Sequence, residues 1–390
     1  MIDKEIEGLI EKEEARQKEV INLIASENYV STDVLEALGS SLTNKYAEGY
    51  PGARYYGGNE VIDDIERLCQ KRALETFGLN EDDWHVNVQA LSGSPANLAV
   101  YLGLLGKTGK VMGMSLDHGG HLTHGHKASA TGKFYEQIPF GVDKATEMID
   151  YDALIEQVKT EKPDIVVSGF TAYPRIIDWK QFRKVADATD AYLMTDMSHI
   201  SGLVAGGVYP SPFEYADVVT TTVHKTLRGP RSALIFVRKD ERKLHEKIDK
   251  AVFPGLQGGP HLNQIAAVAV ALKEAQQDSF KKYAKQVVVN ARVLADTLSE
   301  KGWRIISGGT DTHLLLVDTW MDGKGIGGKE ANDKLEAAGI IVNKNTIPFD
   351  ERSPVDPSGI RLGTAGETTR GKTEADFKEI GERIDEVLKS

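Results

Sequence analysis

Val218-Val-Thr-Thr-Thr-Val-His-Lys225 is a run of β-branched residues that ends on a histidine and a lysine. Such side chains favour extended backbone, and a run with no polar alternation marks a strand covered on both faces. Working outward, Tyr192-Leu-Met-Thr195 predicts a second strand, Ile165-Val-Val-Ser-Gly-Phe170 another and Ala233-Leu-Ile-Phe-Val237 a fourth. Helical patterns lie between and before them. Trp179 to Ala188 is one, and Val61 to Phe77 is another, with Ile62, Ile65, Leu68 and Cys69 at helical spacing and Gly78 as a stop. Short apolar strands separated by helices predict an α/β fold built on a mainly parallel sheet.

At 390 residues the chain is too long for one simple core and is expected to have a large and a small domain. Ile2, Ile6, Leu9 and Ile10 recur at helical spacing among charges and predict an N-terminal helical arm over residues 1–20. The large domain is expected over 21–278, ending in the alanine-rich helix Ala266 to Gln277. A smaller C-terminal α/β domain is expected over 279–390. It would hold a long helix, the strand His313 to Val317, the helix Glu330 to Ala338, the strand Ile340 to Val342 and a last helix from about Glu374.

The net charge of -11 excludes a general nucleic-acid binder, which needs a basic face. One cysteine, Cys69, cannot close an internal disulfide, and a reducing cytoplasm is expected. The start, Met1 to Glu19, lacks the apolar centre of a secretion signal. The longest apolar run, Ile265 to Leu272, falls far short of the ~20 residues that span a bilayer, so no membrane partner is expected.

Ligands of open parallel sheets gather beyond the carboxyl ends of the strands, and four polar sites are expected there. In Ser92-Gly-Ser-Pro-Ala-Asn97, Ser94 reads as a helix N-cap with Pro95 at the first helical position. This is either a plain cap or, with Gly93 admitting close approach, a phosphate site. Asp196 ends the Tyr192 strand and is either a solvated or capping carboxylate or the partner of a protonated pyridine nitrogen. His199 follows it closely. Lys225 enters a glycine-containing turn and is placed to form a Schiff base with a cofactor aldehyde. Asp117-His-Gly-Gly-His121, with His124 and His126, invites a metal, but its spacing matches no zinc pattern. His121 stacking on a planar ring is preferred, and no metal is expected.

Longer stretches carry a family resemblance. They are Leu23-Ile-Ala-Ser-Glu-Asn28, Leu42-Thr-Asn-Lys-Tyr-Ala-Glu-Gly-Tyr-Pro51, Arg54-Tyr-Tyr-Gly-Gly58, His118-Gly-Gly-His-Leu-Thr-His124 and Ala172-Tyr-Pro-Arg-Ile-Ile177. Further along come His224-Lys-Thr-Leu-Arg-Gly-Pro-Arg231, Phe253-Pro-Gly-Leu-Gln-Gly-Gly-Pro260, Val342-Asn-Lys-Asn-Thr-Ile-Pro348 and Ser358-Gly-Ile-Arg-Leu-Gly-Thr364. Together they resemble the serine hydroxymethyltransferases over nearly the whole chain. The resemblance implies the fold-type I pyridoxal-phosphate architecture, with a seven-stranded sheet in the large domain. It also implies a homodimer with shared active sites, and reversible conversion of serine and tetrahydrofolate to glycine and 5,10-methylenetetrahydrofolate.

By position, the resemblance makes Lys225 the Schiff-base lysine, pairs Asp196 with the pyridine nitrogen and stacks His121 on the ring. Ser92, Gly93, Ser94, Thr171, His199, Thr222 and His224 would surround the cofactor, with Tyr46 and Gly259 reaching it from the partner chain. Arg361 would clamp the substrate carboxylate with two parallel donors, helped by Ser26 and His199. Glu48 and Tyr56 would come from the partner, Glu48 as the proton-transfer group. Glu48, Tyr55, Leu116, Gly120, Leu122 and Asn345 match folate-site positions. Three positions depart from the commonest family text: Val223 for threonine, Thr171 for serine and Asn59 for cysteine. Thr171 keeps its hydroxyl, so a tuned site is expected.

Overall fold

The computed structural model describes residues 2–390; Met1, the first residue of the expected arm, lies outside them. Its centre is a seven-stranded sheet whose strands, in chain order, are β1 (Trp84–Asn87), β2 (Lys110–Met114), β3 (Glu136–Phe140), β4 (Ile165–Ser168), β5 (Tyr192–Asp196), β6 (Val218–Thr222) and β7 (Ala233–Arg238). In space they run β1-β7-β6-β5-β4-β2-β3. Only β7 is antiparallel to its neighbours, while β6, β5, β4, β2 and β3 pair in parallel. Every residue of β4 and β6 is buried, as strands covered on both faces must be. Asp196 and Thr222 are the last residues of β5 and β6, which puts both at the carboxyl edge.

Strands β1, β2 and β3 escape the sequence patterns for physical reasons. Trp84–Asn87 is short and half polar, and Lys110–Met114 relies on methionine and glycine rather than β-branched residues. Glu136–Phe140 contains Pro139, which a sheet tolerates only at an edge, and β3 is the edge strand.

Helix α1 (Lys4–Glu19) forms where the arm is expected, capped by Asp3, yet buries none of its residues. Ile2, Ile6, Leu9 and Ile10 are all exposed. Helix α2 (Gly93–Leu105) ends at Gly106 in a positive-φ conformation. Its N-cap is Ser92, not Ser94, and no side chain makes a capping bond. The helix thus begins two residues earlier than proline placement predicts, and Ser92, Gly93 and Ser94 all lie at its mouth.

Helix α3 (Leu262–Ala275) packs against the first core, and α4 (Asp278–Glu300) links two cores. Phe280, Tyr283 and Val287 belong to the core of the large sheet, while Leu294, Ala295 and Leu298 belong to a second one. The second core backs an antiparallel sheet of β8 (Arg304–Ile305), β9 (Leu314–Asp318), β10 (Asn343–Asn345) and β11 (Gly359–Gly363), ordered β8-β9-β11-β10. The expected strand Ile340 to Val342 divides. Ile340–Ile341 pairs in parallel with Ile21–Asn22, and the chain then turns into β10. The last helix, α5 (Glu374–Lys389), covers this sheet. Among the described residues, no helix is long and apolar enough to cross a membrane.

The N-terminal segment crosses to β11 at a tight seam. Gly363 N–H donates to Leu23 O at 2.8 Å, and a Cβ on Gly363 would stand 2.3 Å from Ala25 Cα. Gly363→Ala is therefore expected to cost about 1–3 kcal/mol through overpacking, lowering the urea midpoint at constant slope. An unchanged midpoint would show that the seam yields freely.

Candidate active site

A cavity of about 280 Å³ opens at the carboxyl ends of β4, β5 and β6. Twelve of the side chains or backbone positions anticipated from the sequence line it: Ser26, Ser92, Gly93, Ser94, His121, Thr171, Asp196, His199, Thr222, His224, Lys225 and Arg361. His124, Phe170, Ser198 and Arg231 complete the wall.

Lys225 is 8 % exposed, and its backbone is pinned by Asn28, whose Nδ2 donates to Lys225 O at 2.9 Å and to Tyr283 Oη at 2.8 Å. Burial brings its amine down to about 8; Asp196 opposes the shift, while Arg361 and Arg231 reinforce it. The lysine is thus poised between a charged and a nucleophilic form near neutral pH.

Asp196 is held by four hydrogen bonds. Oδ1 accepts from Ser198 N at 3.1 Å and Ser198 Oγ at 2.5 Å. Oδ2 accepts from Asn97 Nδ2 at 2.8 Å and lies 3.2 Å from His124 Nε2. Burial alone would push this carboxyl up, but the hydrogen bond from His124 and the nearby Lys225 charge hold it well below the usual carboxylate range. It stays an anion, as a partner for a protonated ring nitrogen must.

His121 is brought down to about 4 by burial and by His124, with Lys225 and Arg361 adding to the effect against Asp196. The ring is neutral and apolar enough to lie against a planar group. His199 is pushed well below its ordinary value by burial and then by the Lys225 and Arg361 charges. Its Nδ1 sits 3.2 Å from His313 Nε2, which is also 3.2 Å from Ala25 O.

Arg361 comes from β11 and is buried, which brings it down to about 10 and leaves it a cation at neutral pH. Nε donates to Asn343 Oδ1 and Nη1 to Thr171 O, both at 3.0 Å. These two bonds fix the guanidinium plane from β10 and from the loop that follows β4.

The remaining expected residues do not line the cavity. Tyr46, Glu48, Tyr55, Tyr56 and Gly259 form a separate surface cluster. Tyr56 Oη donates to Glu48 Oε2 at 3.1 Å and Tyr46 Oη to Glu48 Oε1 at 3.4 Å. The Glu48 bond and charge push the Tyr56 hydroxyl up. Tyr46, Tyr55 and Tyr56 are 59 %, 72 % and 50 % exposed. The hairpin that bears them, Gly49–Tyr50 with Ala53–Arg54, is anchored from within. Buried Arg54 donates to Asp63 Oδ1 at 2.8 Å, Glu66 Oε2 at 2.6 Å and the Ala47 and Gly49 carbonyls.

Leu116 and Leu122 are exposed in the turns flanking His121, Gly120 is buried between them, and Asn345 ends β10. The histidine cluster disperses into separate tasks. His118 Nδ1 accepts from Val142 N, His126 Nδ1 accepts from Ala128 N and His124 faces Asp196. Among the described residues, no three His, Cys, Asp or Glu groups are arranged to hold a metal ion.

Residues 1–384 match the family described as serine hydroxymethyltransferase. The chain belongs to the serine hydroxymethyltransferase family. A serine hydroxymethyltransferase of Desulfotalea psychrophila is 54% identical over 386 residues, covering 99% of this chain and 88% of that protein. That of Caenorhabditis elegans is 51% identical over 401 aligned residues, covering 99% and 78%. A mitochondrial serine hydroxymethyltransferase of Eremothecium gossypii is 50% identical over 404, covering 99% and 81%. The chain is accordingly an enzyme of the pyridoxal-phosphate-dependent transferase class, with the fold-type I architecture that the resemblance implied and with which its seven-stranded sheet agrees.

Several residues in or beside the site had no role in the sequence reading, among them Ser198, which makes two of the bonds to Asp196. Asn97 and Arg231 lie inside quoted motifs but carry no pattern of their own, and His313 sits on a distant strand end. Only the fold brings Arg231 to the cavity wall and sets Asn97 and His313 behind residues that line it.

The lowered Lys225 amine has a direct consequence for labelling of the cofactor-free protein. Only the neutral amine acylates, so a lowered pKa moves reactivity to lower pH. Peptide mass spectrometry across a pH series is expected to give half-maximal labelling of Lys225 near pH 8, against about 10.4 for an ordinary lysine. A midpoint near the ordinary value would show that burial does not act on this amine.

Proposed function

We propose that this chain interconverts serine and glycine with tetrahydrofolate as the one-carbon acceptor, holds pyridoxal 5'-phosphate on Lys225, and works as a homodimer with shared active sites. The observation that carries this reading is the convergence of Lys225, Asp196, His121 and Arg361 on one cavity. The residues present fit the cofactor. Thr222 Oγ1 and His224 Nδ1 are buried without partners on the wall beside the mouth of α2, where helix N–H groups suit a phosphate. A Cβ on Gly93 would stand 2.7 Å from Thr222 Cγ2, so glycine is needed for this close approach.

When bound, pyridoxal phosphate supplies an electron sink for breaking the serine Cα–Cβ bond. Asp196 keeps the ring nitrogen protonated, and His121 holds the ring face. Lys225 would hold the cofactor through its amine, whose lowered proton affinity leaves more of it in the neutral, bond-forming state. Arg361, fixed by Asn343 and Thr171, grips the substrate carboxylate, with Ser26 and His199 beside it.

A carboxylate suits proton transfer at the serine hydroxyl, and Asp196, which lines the cavity, is already fully engaged. Glu48 of a second copy fills that role, with Tyr46, Tyr56 and Gly259 beside it. Glu48, Tyr55, Leu116, Gly120, Leu122 and Asn345 receive tetrahydrofolate. The exposed apolar residues Ile2, Ile6, Leu9 and Ile10 of the N-terminal arm, and the exposed tyrosines, support packing against a second copy.

Two experiments test the reading. A serine-to-glycine assay is expected to depend on tetrahydrofolate; equal turnover without it would mark a folate-independent lyase of 3-hydroxy amino acids. Lys225→Ala and Glu48→Gln are each expected to abolish turnover. Mixed and refolded together they should recover about a quarter of native activity, because half the dimers are mixed and each mixed dimer holds one intact site. No recovery from well-mixed chains would sink the shared site.

A further inference from the structure

Asn97 touches neither end of the reaction, and it does not line the cavity. It lies on α2, one turn beyond Ser92–Ser94, and is 1 % exposed. Both of its side-chain donors and its acceptor oxygen are engaged. Nδ2 donates to Asp196 Oδ2 at 2.8 Å and to Thr123 Oγ1 at 2.9 Å, while Oδ1 accepts from Thr220 Oγ1 at 2.8 Å.

The bonding directions propagate. Because Thr123 Oγ1 accepts from Asn97, its own proton is free to go to His121 Nδ1, 2.7 Å away. The Thr123 backbone N–H donates to the same nitrogen at 3.2 Å. A ring nitrogen that accepts twice carries no proton, so neutral His121 is held with its proton on Nε2. On the other side, Thr220 pairs with Asp196 across β5 and β6 and precedes Thr222 by two residues on the same strand.

We propose that Asn97 is the positioning residue of the cofactor site, setting the Asp196 carboxylate and the His121 tautomer together and tying both to the helix and strand that form the phosphate cradle. The inference rests on the pyridoxal-phosphate reading of the cavity. Only a planar amide presents two donors and one acceptor at this spacing. Aspartate would set a second carboxyl oxygen against Asp196, and leucine would strand the Thr123 and Thr220 hydroxyls in the core.

Two near-isosteric variants of the full chain separate this role from packing. Asn97→Asp removes both donors, and Thr123→Val cuts only the limb to His121. Pyridoxal 5'-phosphate is titrated into cofactor-free protein and followed by absorbance. Asn97→Asp is expected to weaken binding by about 10- to 100-fold, the range for a lost hydrogen bond to a charged group. The His121 ring is read by nitrogen NMR without cofactor. The unaltered protein is expected to show the Nε2-protonated form, and Thr123→Val a mixture of tautomers with an unchanged thermal midpoint. Native cofactor affinity in Asn97→Asp, or a His121 signal unmoved by Thr123→Val, overturns the proposal. Failure of the unaltered protein to take up the cofactor overturns instead the reading of the cavity, while the His121 signal still decides the role of Asn97.

Discussion

A carboxylate sealed from water must be satisfied by the chain, and much of this molecule is arranged around satisfying Asp196. Its four hydrogen bonds come from α2, from the turn containing His124 and from the turn that follows β5. Each of those elements also supplies a wall of the cavity. The anion therefore fixes where the helix mouth, the His121 turn and the strand ends stand relative to one another. It is also the one charge that offsets burial of Lys225, which Arg361 and Arg231 would otherwise drive lower. Breaking such a buried network by removing one partner costs far more than any exposed ion pair, so the geometry is held firmly without a ligand.

The Glu48 hairpin is built to a comparable standard although it lies on the surface. Gly49 has φ +96, and a Cβ there would meet Ala53 O at 2.3 Å. Arg54 spends its guanidinium on two carboxylates and two carbonyls directly beneath the turn. A loop this well braced presents Tyr46, Glu48 and Tyr56 at fixed positions, as the proposed shared site requires.

Much of this was legible in the sequence, and the rest failed for identifiable reasons. Continuous apolar runs exposed β4, β5, β6 and β7 because those strands are buried on both faces. The Pro139 edge strand and the glycine-bounded β11 carry no such signal. Asp196 and Lys225 stood out from their places at strand ends, whereas Arg361 and Glu48 were recognisable only through family motifs. Asn97 and His313 act through side-chain geometry that no spacing encodes. The Ser92 motif was located correctly as a helix mouth, but proline placement misjudged the cap, since the helix starts on Gly93.

The pairing of Ile21–Asn22 with Ile340–Ile341 also bears on how the molecule is made. Leu23 N–H bonds to Ile341 O, Gly363 N–H to Leu23 O and Asn22 N–H to Glu367 Oε1, so Ser26 is set in place by residues near the far end of the chain. Closing so long a loop is entropically slow, and its reward comes only when both ends exist. During synthesis, residues 21–26 can dock only after residues 340–367 have been made. The cavity is thus complete only once β11 has been made, and a nascent chain that has not reached it holds Lys225 in a chamber with one wall still missing.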